Sequence, residues 1–218
     1  MKHFVLATLV IASLVLGTVA AAPVMAQAPA PVAAATSLTD DEAAGLAFMR
    51  EEEKLAHDVY VALYEKWGLP VFKNISAAEQ THSDAVKRLL DRYGFEDPAA
   101  GHTVGVFTDP ELQSLYDKLV AQGSLSIADA LKVGAAIEEI DILDLEERME
   151  QTDKADITRV YTNLLKGSEN HLRAFVSNLT ARGESYKPQY LSQAAYDKII
   201  GSSNASGRGN AARGRRGR

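Results

Sequence analysis

Apolar residues return every third or fourth position along most of the chain from residue 39 to residue 183, and the two-residue alternation of a half-buried strand is almost absent. The pattern predicts helices. Thr39-Asp40-Asp41-Glu42 reads as a capping box, in which the threonine hydroxyl serves a free backbone amide and Glu42 reaches back. The helix it opens runs to about Trp67, before Gly68 and Pro70 stop it. A second helix is expected over about 71–93, closed by Gly94. The passage GFEDPAAGHTVGVFTDP reads as loop, and within it Thr108-Asp109-Pro110 starts a short helix that stops at Gly123. Ser126-Ile127-Ala128-Asp129 opens a third long helix to about Glu150, and Thr152 or Asp153 begins a fourth that ends at Gly183.

The links between these helices carry topology. Short links join the first long helix to the second and the third to the fourth, which makes each pair an antiparallel hairpin. The long connection between second and third can cross the bundle and set those two helices parallel. An all-α bundle of four long helices is expected, with one long crossover that carries a short extra helix.

The ends of the chain follow other rules. Lys2 and His3 precede an apolar run from Phe4 to about Leu16, and Val24-Met25-Ala26 fits a small-x-small cleavage pattern, so residues 1–26 read as a signal peptide. A membrane anchor is the competing reading, but the run falls short of the roughly 20 residues of a spanning helix. Residues 27–38 read as an Ala/Pro-rich linker, 39–200 as the folded body, and 201–218 as a disordered Gly/Arg-rich tail. The expected location is secreted or periplasmic. All 29 acidic residues lie in the body, whereas the tail holds arginines and no acid. Such a tail suits contact with anionic surfaces or the acidic face of a second copy, and the acidic body argues against specific nucleic-acid binding. There is no cysteine, so iron–sulfur, haem-thiolate, Cys-zinc and thiol-nucleophile chemistry are excluded. Any metal needs carboxylates and imidazoles.

Those groups interrupt the apolar stripes. The second helix reads Ile75, Glu79, His82, Val86, Leu89, Tyr93 along one face, and the third reads Ile127, Leu131, Gly134, Glu138, Asp141, Leu145. The fourth reads Val160, Leu164, Ser168, His171, Phe175, Leu179, and the first offers Met49, Glu53, Ala56, Tyr60, Leu63. Each long helix thus places an acid or imidazole near mid-length on its inward side. Isolated charges there cost several kcal/mol, whereas carboxylates and neutral imidazoles converging on cations are compensated. A blander reading exists for Glu79, because Ser76-Ala77-Ala78-Glu79 also fits a capping box, and for His82, a core histidine held by a hydrogen bond.

At these residues the sequence resembles ferritin-like di-iron proteins, rubrerythrins especially, through E53-x-x-A56-x-x-x-Y60, E79-x-x-H82, A136-I137-E138 with Asp141, and His171 followed by Phe175. The strings MREEEKLAHDVYVALYEKWG, ALKVGAAIEEIDILDLEE and LLKGSENHLRAF are more similar still to an uncharacterised ferritin-like family of small bacterial and archaeal proteins, the domain of unknown function numbered 2202, over about residues 40–198. The resemblance implies a ferritin-like four-helix bundle with metal ligands Glu53, Glu79, His82, Glu138, Asp141 and His171. The family has no settled activity to carry over. One departure stands out: a second E-x-x-H needs a glutamate where this chain has Ser168, and Glu169 is turned about 100° away on the helix. Asp141 supplying the missing carboxylate, one metal instead of two, and a lapsed site are the alternatives.

Glu52 and Glu139 stand as backups for Glu53 and Glu138, while Glu51, Glu146 and Glu147 are expected on a solvated face and His57 and His102 on the surface or in loops. Tyr60 is expected to pack in the core or to hydrogen-bond the cluster. Carboxylates stabilise Fe(III) relative to Fe(II), so such a centre favours oxidation of ferrous iron by oxygen or peroxide, with manganese or zinc as competing metals. The second functional class is a non-catalytic secreted bundle with a structural or lapsed metal site. A homo-oligomer is compatible with either.

Overall fold

The computed structural model describes residues 37–206. The expected signal peptide, most of the linker and the end of the tail lie outside them. Six helices and no strand occur among the described residues: α1 Asp40–Trp67, α2 Pro70–Tyr93, α3 Pro110–Gly123, α4 Ile127–Glu150, α5 Ala155–Thr180 and α6 Gln193–Ser206. No helix among them is long and apolar enough to cross a membrane.

Local chemistry sets most of the boundaries. Thr39 and Glu42 form the reciprocal capping box at the start of α1, and Gly68 ends the helix in the left-handed region at φ 66. Asp109 caps α3 through the amides of Glu111 and Leu112, and Ser126 caps α4 through that of Asp129. The start of α5 departs from expectation. Thr152 accepts from Lys154 N and donates to Glu42, so it ties the loop to α1 and α5 begins at Ala155 with no side-chain cap. The sixth helix, α6, is not expected from the sequence and extends past the expected tail boundary at 200.

Side-chain contacts fix the helix directions. Arg50 reaches Ser83 while Tyr60 packs on Phe72, so α1 and α2 are antiparallel. Asp141 meets Ser168 and Phe175 fills the space beside Gly134, so α4 and α5 are antiparallel too. Tyr60 bonds Glu138 while Arg148 lies over the Phe48 ring, which sets α4 antiparallel to α1. The two helices α2 and α4 therefore run the same way, and the crossover with α3 joins them.

The buried apolar residues form two clusters. One holds Leu63, Phe72, Leu131 and Phe175, and the other Leu46, Met49, Leu90, Leu145 and Leu164. Near the middle of the four long helices, Glu51, Glu52 and Glu53, then Glu79 and Ser83, then Glu138, Glu139 and Asp141, and last Ser168 interrupt the buried apolar residues close to where one cluster gives way to the other. A polar layer thus divides the core at mid-length.

Candidate metal centre

The layer is built from the residues that interrupt the apolar stripes. Glu53 comes from α1, Glu79 and His82 from α2, Glu138 and Asp141 from α4, and His171 from α5. The i, i+3 spacing in α2 and α4 puts both members of each pair on the inward face. The four glutamate and aspartate side chains are buried, and the two imidazoles keep only 15 % and 13 % of their side-chain surface exposed.

Glu79 sits at the middle of the arrangement. Its Oε2 lies 2.7 Å from His82 Nδ1 and its Oε1 lies 2.7 Å from His171 Nδ1. Glu53 Oε2 approaches His82 Nδ1 at 3.3 Å, and Glu138 Oε2 approaches His171 Nδ1 at 3.5 Å. Two three-residue groups result, Glu53/Glu79/His82 and Glu79/Glu138/His171, each offering donor atoms within 4.8 Å of one another and sharing Glu79. The imidazole rings stack with centroids 5.6 Å apart. Despite these short distances, Glu53 Oε1, Glu79 Oε1 and both Nδ1 atoms lack an aligned hydrogen-bond partner. Buried polar atoms are nearly always paired, so four unpaired ones among the residues of these two groups leave the layer open to a further partner, and the donor set suits a divalent or trivalent cation.

The electrostatics agree with that reading. Burial alone would raise Glu79, but His171 and His82 outweigh it and hold the carboxyl down at about 2. Burial alone would lower the imidazoles, but Glu53 and Glu79 hold His82 up at about 11, and Glu138 and Glu79 hold His171 at about 10. Burial, then the Glu79 charge, pushes Glu138 to about 7, and burial with Asp141 raises Glu53 well above the carboxylate range. Without a metal, the layer offsets its buried carboxylates by holding protons on the imidazoles and on Glu138.

Asp141 lies outside both groups. Ser168 Oγ donates to its Oδ2, its Oδ1 has no partner, and burial followed by the Glu138 charge raises its carboxyl to about 8. Ser168 at the expected glutamate position is therefore engaged by Asp141, a role that the spacing did not suggest. Tyr60 donates to Glu138 Oε1 at 2.5 Å, and its ring packs against Phe72 and Phe175, so packing and hydrogen bonding coexist there. The capping-box reading of Ser76 and Glu79 fails. Ser76 lies inside α2 with its hydroxyl donated to Lys73 O, and α2 begins at Pro70.

The acids beside the site have other work. Glu139 is no substitute for Glu138: it faces the opposite way, accepting from Tyr186 OH and the amides of Gln189, Tyr190 and Leu191. Glu51 is buried rather than solvated, because it accepts the amides of Thr108 and Asp109 ahead of α3. Burial and the charges of Asp141 and Asp144 raise Glu52, which lies on the flank of the layer. Glu146 and Glu147 are exposed. His57 pairs with Asp58 at 2.8 Å, His102 lies in the crossover loop, and Glu169 approaches Arg173 at 3.8 Å.

A family model described as an uncharacterized protein domain, DUF2202, matches residues 42–203. The chain is 54% identical over 170 residues to the uncharacterized protein MJ0754 of Methanocaldococcus jannaschii, an alignment covering 78% of this chain and 92% of that one. The crystal structure of hypothetical protein MJ0754 superposes with a TM-score of 0.74 at 54% identity, covering 75% of this chain and 94% of that one.

Proposed function

We propose that this chain, which belongs to the DUF2202 family, is a ferritin-like metal-binding protein whose Glu53, Glu79, His82, Glu138 and His171 hold a pair of metal ions, iron first among them. The observation that carries the reading is Glu79, whose two oxygens serve two separate Glu/Glu/His groups while four buried donor atoms stand without hydrogen bonds. The parallel course of α2 and α4, joined by one long crossover, supports the ferritin-like arrangement.

An iron pair bound there supplies one-electron steps at each ion for the reduction of oxygen or peroxide, a ferroxidase or peroxidase type of chemistry. The chain's own residues prepare the site for it. Glu79 would offer an oxygen to each half, Glu53 and Glu138 would balance charge at the two ends, and His82 and His171 would supply the imidazole donors. Tyr60 holds Glu138 in place, and the Tyr60, Phe72 and Phe175 rings keep water from one side of the layer. The Ser168–Asp141 pair holds a sixth carboxyl group close by, without adding it to either donor group. Export through the amino-terminal leader belongs to the same proposal, and amino-terminal sequencing of protein recovered outside the cytoplasm checks it.

Metal analysis of protein purified without chelators, followed by stopped-flow absorbance after anaerobic Fe(II) loading and mixing with oxygen or peroxide, tests the function. Two ions per chain and a fast oxidation phase are expected. Stoichiometric binding with no oxidation faster than free Fe(II) would favour the second reading, a structural metal site in a non-catalytic bundle, which Ser168 in place of an acid supports. No transition metal bound at micromolar free concentration would overturn both.

A further inference from the structure

Glycine is a costly residue in the middle of a helix, yet α5 carries Gly167 directly before Ser168 and about one turn before His171, and the backbone there is ordinary right-handed helix. The reason lies across the seam with α2. A Cβ at residue 167 would stand 2.5 Å from Cε1 and 2.7 Å from Nε2 of His82, inside the van der Waals surface of the ring. The imidazole fills the space that a side chain would take. Its other edge faces Glu79 and Glu53 at 2.7 and 3.3 Å, and its flat side stacks on His171. The carboxylates in front, the second ring beside it and the α5 backbone behind hold the ring on three sides.

We propose that Gly167 is the positioning residue for His82 and thereby decides whether the Glu53/Glu79/His82 half of the centre can hold an ion, an inference that rests on the metal-site reading above. A methyl group at this position drives the ring from its place, and the ring's partly exposed setting gives it a way out toward solvent. His82 Nδ1 then leaves Glu79 and Glu53. The other half keeps its donors, because Glu79 Oε1 still meets His171 and Glu138 is untouched. Gly134 makes a contrasting case: a Cβ there would meet the Phe175 ring at 2.5 Å, so its missing side chain serves apolar packing.

Cobalt(II) titration of the full chain, followed by visible absorption and equilibrium dialysis, tests the proposal on wild type, Gly167→Ala, His82→Ala and the double variant. Gly167→Ala is expected to lose at least about tenfold in affinity for one of two ions, the scale of effects from groups that orient ligands, with the other ion unaffected. His82→Ala should lose the same ion, and adding Gly167→Ala to it should cost nothing more, since the glycine acts only through the ring. Should Gly167→Ala lower the melting temperature of the apo-protein, removing the ring in the double variant should restore it. Wild-type affinity for both ions in Gly167→Ala, a further loss in the double variant, or failure of that rescue would each overturn the positioning role and leave the metal site standing. A wild type that takes up no cobalt would overturn the site itself.

Discussion

Ser168 and Asp141 show how much one hydroxyl decides in a buried polar layer. Both are buried, and Ser168 Oγ is the hydrogen-bond donor that the structure gives to Asp141 Oδ2, while Oδ1 already lacks a partner. Ser168→Ala should therefore destabilise the fold by about 1–2 kcal/mol in urea unfolding, the cost of leaving a buried acceptor unmatched. Metal stoichiometry should not change, because Asp141 lies outside both donor groups. Glu79 behaves in the opposite way. Glu79→Ala combined with His82→Ala removes donors from both halves, so metal analysis should find no stoichiometric ion, while far-ultraviolet circular dichroism of the apo-protein stays helical because the desolvation cost of both groups goes with them. A variant that keeps two ions would show that the ligands lie elsewhere.

At the scale of elements, buried acids that bind no neighbour in the centre serve as anchors for the segments that cross the bundle. Glu51 holds the crossover ahead of α3 by two amides, and Glu139 gathers the chain ahead of α6 by three amides and the Tyr186 hydroxyl. Both contacts are long in sequence and short in space, which is why a reading by helical stripe placed Glu51 in solvent and Glu139 in reserve for the centre. Glu139→Ala leaves those four donors without their acceptor. A loss of about 2–4 kcal/mol is expected. Hydrogen exchange should report it locally, with the amides of Gln189, Tyr190 and Leu191 losing protection before those of α4 and α5. Uniform exchange across the chain would show that the segment is held by its apolar contacts instead.

For the whole molecule, the polar layer makes stability depend on pH in a direction that can be worked out. The imidazoles hold their protons to about 11 and about 10 in the folded chain against 6.5 unfolded, so their stabilisation is complete below 6.5 and is lost as pH rises through those values. Asp141 at about 8 and Glu138 at about 7 also bind protons more tightly when folded, so they too favour the fold less as pH climbs from the ordinary carboxylate range. Glu79 at about 2 works the other way, and its contribution fades as pH falls below 4.5. The metal-free protein should thus melt highest near pH 5 and progressively lower toward pH 9, as scanning calorimetry of chelator-treated samples can measure. Metal ions bound as proposed would displace the same protons, so the difference in melting temperature between loaded and metal-free protein should widen with pH. A metal-free melting temperature that rises from pH 5 to pH 9 would mean that the layer is not protonated as described.

Several features were determined by sequence alone because they rest on local chemistry. The Thr39/Glu42 box, Asp109 before Pro110, Ser126 and the glycines after Trp67 and Tyr93 need only neighbours a few residues away, and they place α1 to α4 with little error. The period of the apolar stripes brought out Glu53, Glu79, His82, Glu138 and His171 for the same reason, since each is conspicuous against its own helix face. Their convergence was another matter. Which carboxylate is shared, that Asp141 turns to Ser168, that Glu139 turns to the chain ahead of α6, and that Gly167 is absent space for a ring are all settled between residues far apart in the chain. Periodicity reports which face a side chain takes, and only the packing of four helices against one another decides what that face meets.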